Sequence, residues 1–208
     1  MPFLRRQIEL GNVVLFAGAG FSTDCVNVVN GQPPLGSTLS RLLAERASLS
    51  YNGESLAAVY AAVERTVRAQ SLWSYLAELY TISSIPDWYK LVKAVTWHRI
   101  YTTNIDNLFQ ELYRPGSNQR LQTIVHPAPP EERDQLFSKL QCIHLHGHVH
   151  HRSNGLTFSL SDFARQTTVS VHSGIRLRSQ RRVLPRSRPC WGTNVVSCRS
   201  HRWCIQGV

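Results

Sequence analysis

Five consecutive apolar residues, Val13 to Ala17 (VVLFA), run directly into Gly18-Ala19-Gly20, and this junction constrains the fold more than any other part of the chain. So short and uniformly apolar a run reads as a strand buried on both faces, the condition of a parallel sheet covered by helices. The glycines end it in a tight turn. Later segments repeat the pattern: His98 to Thr102 reads as a second strand broken by Asn104 and Asp106, Leu121 to Val125 as a third, and Leu140 to Leu145 as a fourth. Phe3 to Leu10 reads as a leading helix stopped by Gly11. Three further stretches place apolar residues every three to four positions, so that each helix buries one face. These are Leu39, Leu42, Leu43 and Ala47, then Leu56, Val59, Tyr60 and Val63, then Leu72, Tyr75, Leu76 and Leu79. Pro86 sits at the tolerated first turn of a helix carrying Trp88, Leu91, Val92 and Val95, and Ile105 to Tyr113 forms another with Leu108, Phe109 and Leu112 inward. Strands alternating with helices predict an α/β layer architecture with a mostly parallel sheet, and such sheets take ligands at the carboxyl ends of their strands. Helical spacing makes Trp73, Tyr75, Tyr80 and Trp88 core residues before it makes them an interface.

At 208 residues and 42% hydrophobic content, the chain has the size of one ordinary domain. No stretch approaches the roughly 18 apolar residues of a membrane-spanning helix. Arg5, Arg6 and Glu9 stand where a signal peptide needs its apolar region, so a cytoplasmic protein is expected. The formal charge of +10 first suggests nucleic acid, but its distribution argues otherwise. All thirteen acidic residues lie at or before Asp162, leaving that part near neutrality, while the rest of the chain has nine arginines and no lysine or acid. Cys190, Cys198 and Cys204 crowd the same end. From Val171 onward no period defines an element, and residues 171–208 read as a basic, disordered or aberrant tail such as a shifted reading frame would produce. A nucleic-acid-binding arm fits poorly with Trp191 and Trp203, and Cys190, Cys198, His201 and Cys204 lack the close cysteine pair of a zinc knuckle. No metal is expected.

Three segments fall at predicted strand ends. Gly18, Ala19 and Gly20 let backbone amides approach a pyrophosphate, with Ser22 as a further donor, or they simply relieve crowding in a turn. The spacing is not that of a dehydrogenase fingerprint, and no Gly-Lys-Ser follows. In YTTNID, Asn104 can orient a water or a ribose hydroxyl and Asp106 can accept a hydrogen bond, or Asn104 caps the next helix. CIHLHGHVHH holds His144, His146, His148, His150 and His151, open to reading as a catalytic base, a metal ligand or a solvated loop.

Taken together, VLFAGAGFS, YTTNIDNLF and IHLHGHV resemble, in order and placement, the GAG-x-S, T-x-N-x-D and H-G motifs of the sirtuin superfamily. The resemblance runs from Asn12 to Arg165, within a domain set at 1–170, and is nearest to the divergent sirtuin-like domains of bacterial anti-phage defence proteins. It implies a Rossmann-like fold, incomplete at the C-terminus, and NAD as substrate. Gly18, Ala19, Gly20, Ser22, Thr103, Asn104 and Asp106 would bind the dinucleotide, and His146, beside Gly147, would be catalytic with Asn104 and Asp106. Thr103 stands where the deacylating branch carries glutamine, and HRSNGLTFSLSDFARQ has none of the cysteines of that branch's zinc ribbon. The resemblance therefore implies NAD glycohydrolysis, with NAD-dependent deacylation and an inactive fragment as the alternatives. It also implies a homo-oligomer or a sensing partner.

Overall fold

The computed structural model describes residues 2–114, 117–128, 130, 137–158, 194–199 and 202–206. β1 (Val13–Ala17) lies inside a six-stranded sheet, with four of its five residues buried. On one side it pairs with β4 (Arg99–Thr102), followed by β6 (Lys139–His144) and then β5 (Arg120–Val125), all parallel. On the other side stand β7 (Asn194–Arg199), parallel to β1, and β8 (Arg202–Gln206), antiparallel to β7. The protein thus has a mixed α/β fold, Rossmann-like in architecture, with a mostly parallel sheet flanked by helices.

Register fixes the site. Ala17 pairs with Thr102, and Thr102 with His144, so the chain leaves β1, β4 and β6 at one level. Because the order reverses at β1, with earlier strands on one side and later ones on the other, that rim is the switch point where open α/β sheets leave a crevice.

Two apolar clusters flank this rim. Val13, Leu15 and Ala17 pack with Phe21, Tyr89, Trp97, Ile100, Leu108 and Phe109. Phe21 anchors the turn after β1: its ring stacks on Phe109 at 5.4 Å and meets Tyr89 edge-on at 5.4 Å, while the Tyr89 hydroxyl donates to the Phe21 carbonyl. The second cluster joins α2 (Gly36–Arg46), α3 (Leu56–Thr66) and α4 (Ala69–Tyr80) through Leu39, Leu43, Val59, Val63, Leu72 and Leu76. Ser55 caps α3 by accepting the Ala58 amide at 3.3 Å, and α1 (Pro2–Glu9) ends before Gly11, whose φ is +67°. Ile105, Val149 and Leu156, from the loops beyond the sheet, complete this cluster. Tyr80 is buried, and Trp73, Tyr75 and Trp88 are half-buried against the clusters, as their spacing indicated.

The structure departs from the sequence pattern at four places. The helix expected from Pro86 is a 3-10 turn, Asp87–Tyr89, followed by the short α5 (Lys90–Lys93). Tyr89 is committed to Phe21, and the Trp97 indole donates to the Val92 carbonyl at 2.8 Å, so the turn ends early and Leu91 is 70% exposed. α6 spans only Leu108–Leu112, because the Asp106 carboxylate takes the Leu108 amide at 3.0 Å and the Ile105 carbonyl accepts from Val149. β2 (Val26–Asn27) and β3 (Ile82–Ser84) form a small antiparallel pair too short for any period to reveal. Finally, β7 and β8 lie beyond Val171, where the sequence has no period that defines an element. Val195, Val196, Trp203 and Ile205 are strand formers, but in windows of five or six residues. The rest of the 171–208 tail, with Cys190, Trp191 and His201, and the second half of HRSNGLTFSLSDFARQ, residues 159–166, lie outside the described residues. Among the described residues, no helix is long and apolar enough to cross a membrane.

Candidate functional site

After Ala17 the backbone enters a 3-10 turn, Ala19–Ser22, closed by the Phe21 amide on the Gly18 carbonyl at 2.8 Å. The Thr23 hydroxyl donates to the Gly20 carbonyl at 3.0 Å. Crowding does not explain the glycines. Gly18 has an ordinary φ of −107°, and a Cβ there would come no nearer than 3.9 Å to another group, the Thr103 Oγ1. A Cβ on Gly20 would meet nothing within 4 Å. What their missing side chains do is leave the backbone of this rim bare.

The next loop crosses beside it. The Thr103 amide donates to the Ala17 carbonyl at 3.1 Å, tying the two loops together. Asn104 does not cap a helix. Its amide nitrogen donates to Ser22 Oγ at 3.2 Å, and its backbone N–H goes to Thr102 Oγ1 at 3.0 Å. Ser22 is thus 2% exposed and turned toward Asn104 rather than presented as a free donor. Asp106 is equally buried, and burial pushes its carboxyl above the usual carboxylate range, while Ser22, the Leu108 amide and Asn104 pull it back. Ser22 and Asn104 lie close enough for that, yet neither makes a bond of full geometry to Oδ2. Two buried acceptor oxygens, Asn104 Oδ1 and Asp106 Oδ2, therefore lack a donor among the described residues.

β6 ends at His144, so His144 and His146 part company. The His144 ring is fully engaged: Nδ1 lies 2.9 Å from the Asn104 carbonyl and must donate, leaving Nε2 to accept from the Gln110 amide at 3.0 Å. Burial lowers its pKa to about 4, so it is a neutral structural imidazole. His146 is half-buried, its ring makes no hydrogen bond among the described residues, and burial lowers its pKa below the ordinary histidine value. Gly147 is required by packing: its φ is +90°, and a Cβ would stand 2.4 Å from the Gly155 carbonyl. The Thr157 amide, donating to the His146 carbonyl at 3.0 Å, holds the same segment in place.

One cavity of about 160 Å³ gathers these pieces, lined by Ala19, Ser22, Thr103, Asn104, Asp106 and His146. Gly18 and Gly20 flank Ala19 without lining it. The remaining lining is Pro34, Gly36, Leu56, Tyr80, Ile105 and Phe158, residues whose place in the sequence marks them only as loop or core. Tyr80 donates its hydroxyl to the Pro34 carbonyl at 2.7 Å, and Phe158 meets Tyr60 edge-on at 4.7 Å, so this wall is held from the helical cluster. The signal was present in PPLG before α2, where two prolines stiffen a loop facing the rim. A cavity near 150 Å³ admits a benzene-sized ring, so the enclosed part suits a single ring system with the rest of a ligand along the rim. No lysine or arginine among the described residues lines it. Among the described residues no group of three or more histidine, cysteine, aspartate or glutamate side chains is placed to hold a metal ion. No family model matches the chain, and no curated protein matches it.

Proposed function

We propose that the protein is an NAD glycohydrolase, cleaving the bond between nicotinamide and ribose. The observation that carries this reading is the convergence of Ala19, Ser22, Thr103, Asn104, Asp106 and His146 on one cavity, from three loops that leave the sheet at one level. These are the residues on which the sirtuin-like motifs fall. Bare backbone at Gly18 to Gly20 supplies amides for a diphosphate without a lysine. The unpartnered oxygens of Asn104 and Asp106 are acceptors for an uncharged donor, such as a carboxamide or a ribose hydroxyl. The ring-sized, largely apolar wall takes the nicotinamide, whose departure as a neutral base the low-dielectric surroundings favour.

In the reaction, the C1′–N bond breaks with its electron pair going to nicotinamide. Water adds to C1′ of the resulting oxocarbenium ion, and a proton is released. His146, neutral because burial lowers its pKa, accepts that proton, and Asn104 orients the oxygen that delivers it. The products are nicotinamide and ADP-ribose. A role in anti-phage defence is the setting the motif resemblance suggests.

The test is direct. The purified 208-residue protein incubated with NAD should release nicotinamide and ADP-ribose in equal amounts, and His146→Ala and Asn104→Ala should release neither while keeping their far-UV circular dichroism. Undiminished nicotinamide release by either variant refutes the assignment, as does a requirement for an acylated peptide with acyl-ADP-ribose as product.

A further inference from the structure

The loop from Leu145 to His151 carries His146 and is built around a second imidazole, His148, which is 2% exposed. Its backbone is pinned at both ends: the Leu145 amide donates to the Thr102 carbonyl at 2.8 Å and the Val149 amide to the Ile105 carbonyl at 2.9 Å. The Trp73 indole of α4 donates to the Val149 carbonyl at 2.6 Å. His148 closes the turn internally, its Nδ1 accepting the His150 amide at 3.1 Å while its own carbonyl accepts from His151 at 2.9 Å. An acceptor Nδ1 carries no proton, so the ring is the Nε2–H tautomer, and that Nε2 is buried with no partner among the described residues.

Three further imidazoles surround it, with ring centroids at 4.6 Å (His144), 5.1 Å (His151) and 5.5 Å (His150). The other groups facing the cluster come from every neighbouring element. β6 contributes Cys142, with Sγ 3.6 Å from His144 Nε2, and α6 contributes Gln110 and Glu111. Thr81, after α4, places Oγ1 3.3 Å from His150 Nε2, and Arg152 lies with its guanidinium 6.0 Å from the Trp73 ring. Asp106 is near enough to act on Cys142. Glu111 is the carboxylate that favours a charged His150, and it is already paired with Arg114 at 2.6 Å. Four imidazoles are thus packed together with little negative charge to offset protons. His150 and His151 reach solvent, which gives protons a way in.

We propose that His148 is a positioning residue that latches the 145–151 loop only as a neutral imidazole, so that mild acid frees the loop, and His146 with it, before the sheet unfolds. A proton on Nδ1 would set donor against donor at the His150 amide, and burial, with the His144, His151 and His150 rings beside it, holds the latched imidazole well below the ordinary histidine range. The proton is therefore taken by the opened loop, where the ring titrates near about 6.5, and mild acid draws the loop toward that open form. The latch stands on this geometry alone; its consequence for turnover rests on the NAD reading.

Amide hydrogen exchange on the full chain, corrected for intrinsic rates, tests the latch without any substrate. Protection at Leu145, Val149 and His151 should fall about tenfold or more between about pH 7 and pH 5, while Leu15 and Ile100 amides in the sheet stay protected. His148→Asn retains an acceptor for the His150 amide but does not titrate, and its loop protection should change less than about twofold over the same range. His148→Leu should leave the loop unprotected at both pH values. Equal wild-type protection at the two pH values overturns the proposal, and so does His148→Asn losing protection as the wild type does. If neither variant folds, the wild-type comparison decides alone. Failure here leaves the NAD reading intact, and absence of NAD cleavage leaves the latch intact.

Discussion

Asp106→Asn should make the protein more stable and less active. Asp106 is 2% exposed, its Oδ1 takes the Leu108 amide at 3.0 Å, and its Oδ2 has no donor among the described residues. Asparagine keeps a carbonyl oxygen for Leu108 and removes the buried charge. Burial raises the carboxyl pKa in the folded state, so the folded protein holds its proton to higher pH than the unfolded chain does. Wild-type stability therefore falls as pH rises from the unfolded value, about 3.9, through the folded one. The neutral variant escapes this loss. An unsatisfied buried polar group costs about 1–3 kcal/mol, and for a domain of this size each kcal/mol moves Tm by roughly 2–4 °C. The variant should then melt roughly 2–12 °C above wild type at neutral pH, with the gap closing near about pH 4, where the wild-type carboxyl is protonated. Nicotinamide release should meanwhile fall about 100-fold or more, because the amide cannot supply the same acceptor. Differential scanning calorimetry at both pH values, beside chromatographic assay of nicotinamide, reads both effects. A variant melting below wild type at neutral pH, or a gap of equal size at both, would refute the account of Asp106 as a strained buried acid.

Three further outcomes follow from the same geometry. NAD cleavage should lose activity only as pH drops through a midpoint below about 6.5, because burial lowers the His146 pKa and the neutral ring is the working form; a pH–rate profile measures it. Gly20→Ala should fold with its stability within about 0.5 kcal/mol of wild type yet bind NAD more weakly by calorimetry, whereas Gly147→Ala, at φ +90° and against the Gly155 carbonyl, should lose about 2 kcal/mol or more. His144, with its pKa lowered to about 4 by burial, favours folding while neutral; that contribution is complete above about pH 6.5 and shrinks by about 3 kcal/mol on acidification to about pH 4, as denaturant titrations across that range would record.

Long periodic segments were legible. The apolar spacing of α2, α3 and α4 and the unbroken run of β1 reflect burial that any helix or strand of that length must achieve, and the structure places them within a residue or a few of where the sequence does. Short-range competition was not legible. Nothing in the spacing of Ile105 to Tyr113 says that the Asp106 side chain will take the Leu108 amide and delay α6, or that Tyr89 will be held by Phe21 and leave Leu91 in solvent. β2 and β3 pair across more than fifty residues through two or three positions each, which is invisible to a local pattern. In the site, Asn104, Asp106 and His146 were legible because polar groups just past a strand end are not needed to fill a core, and Ala19 because it lies between two glycines. Tyr80, Leu56 and Phe158 were hidden by doing two jobs, since the apolar residue that walls a cavity has the same spacing as one that fills a core.

The shared level of Ala17, Thr102 and His144 makes the strands a ruler and the segments between them free in length. Residues inserted between α3 and α4, or in the approach to β5, would change the outline of the molecule without altering the spacing of its working groups. A single residue added within β4 would instead carry Asn104 about 3.3 Å along the sheet and exchange which side chains face each layer. Variation in this architecture is cheap at its periphery and ruinous in three short strands.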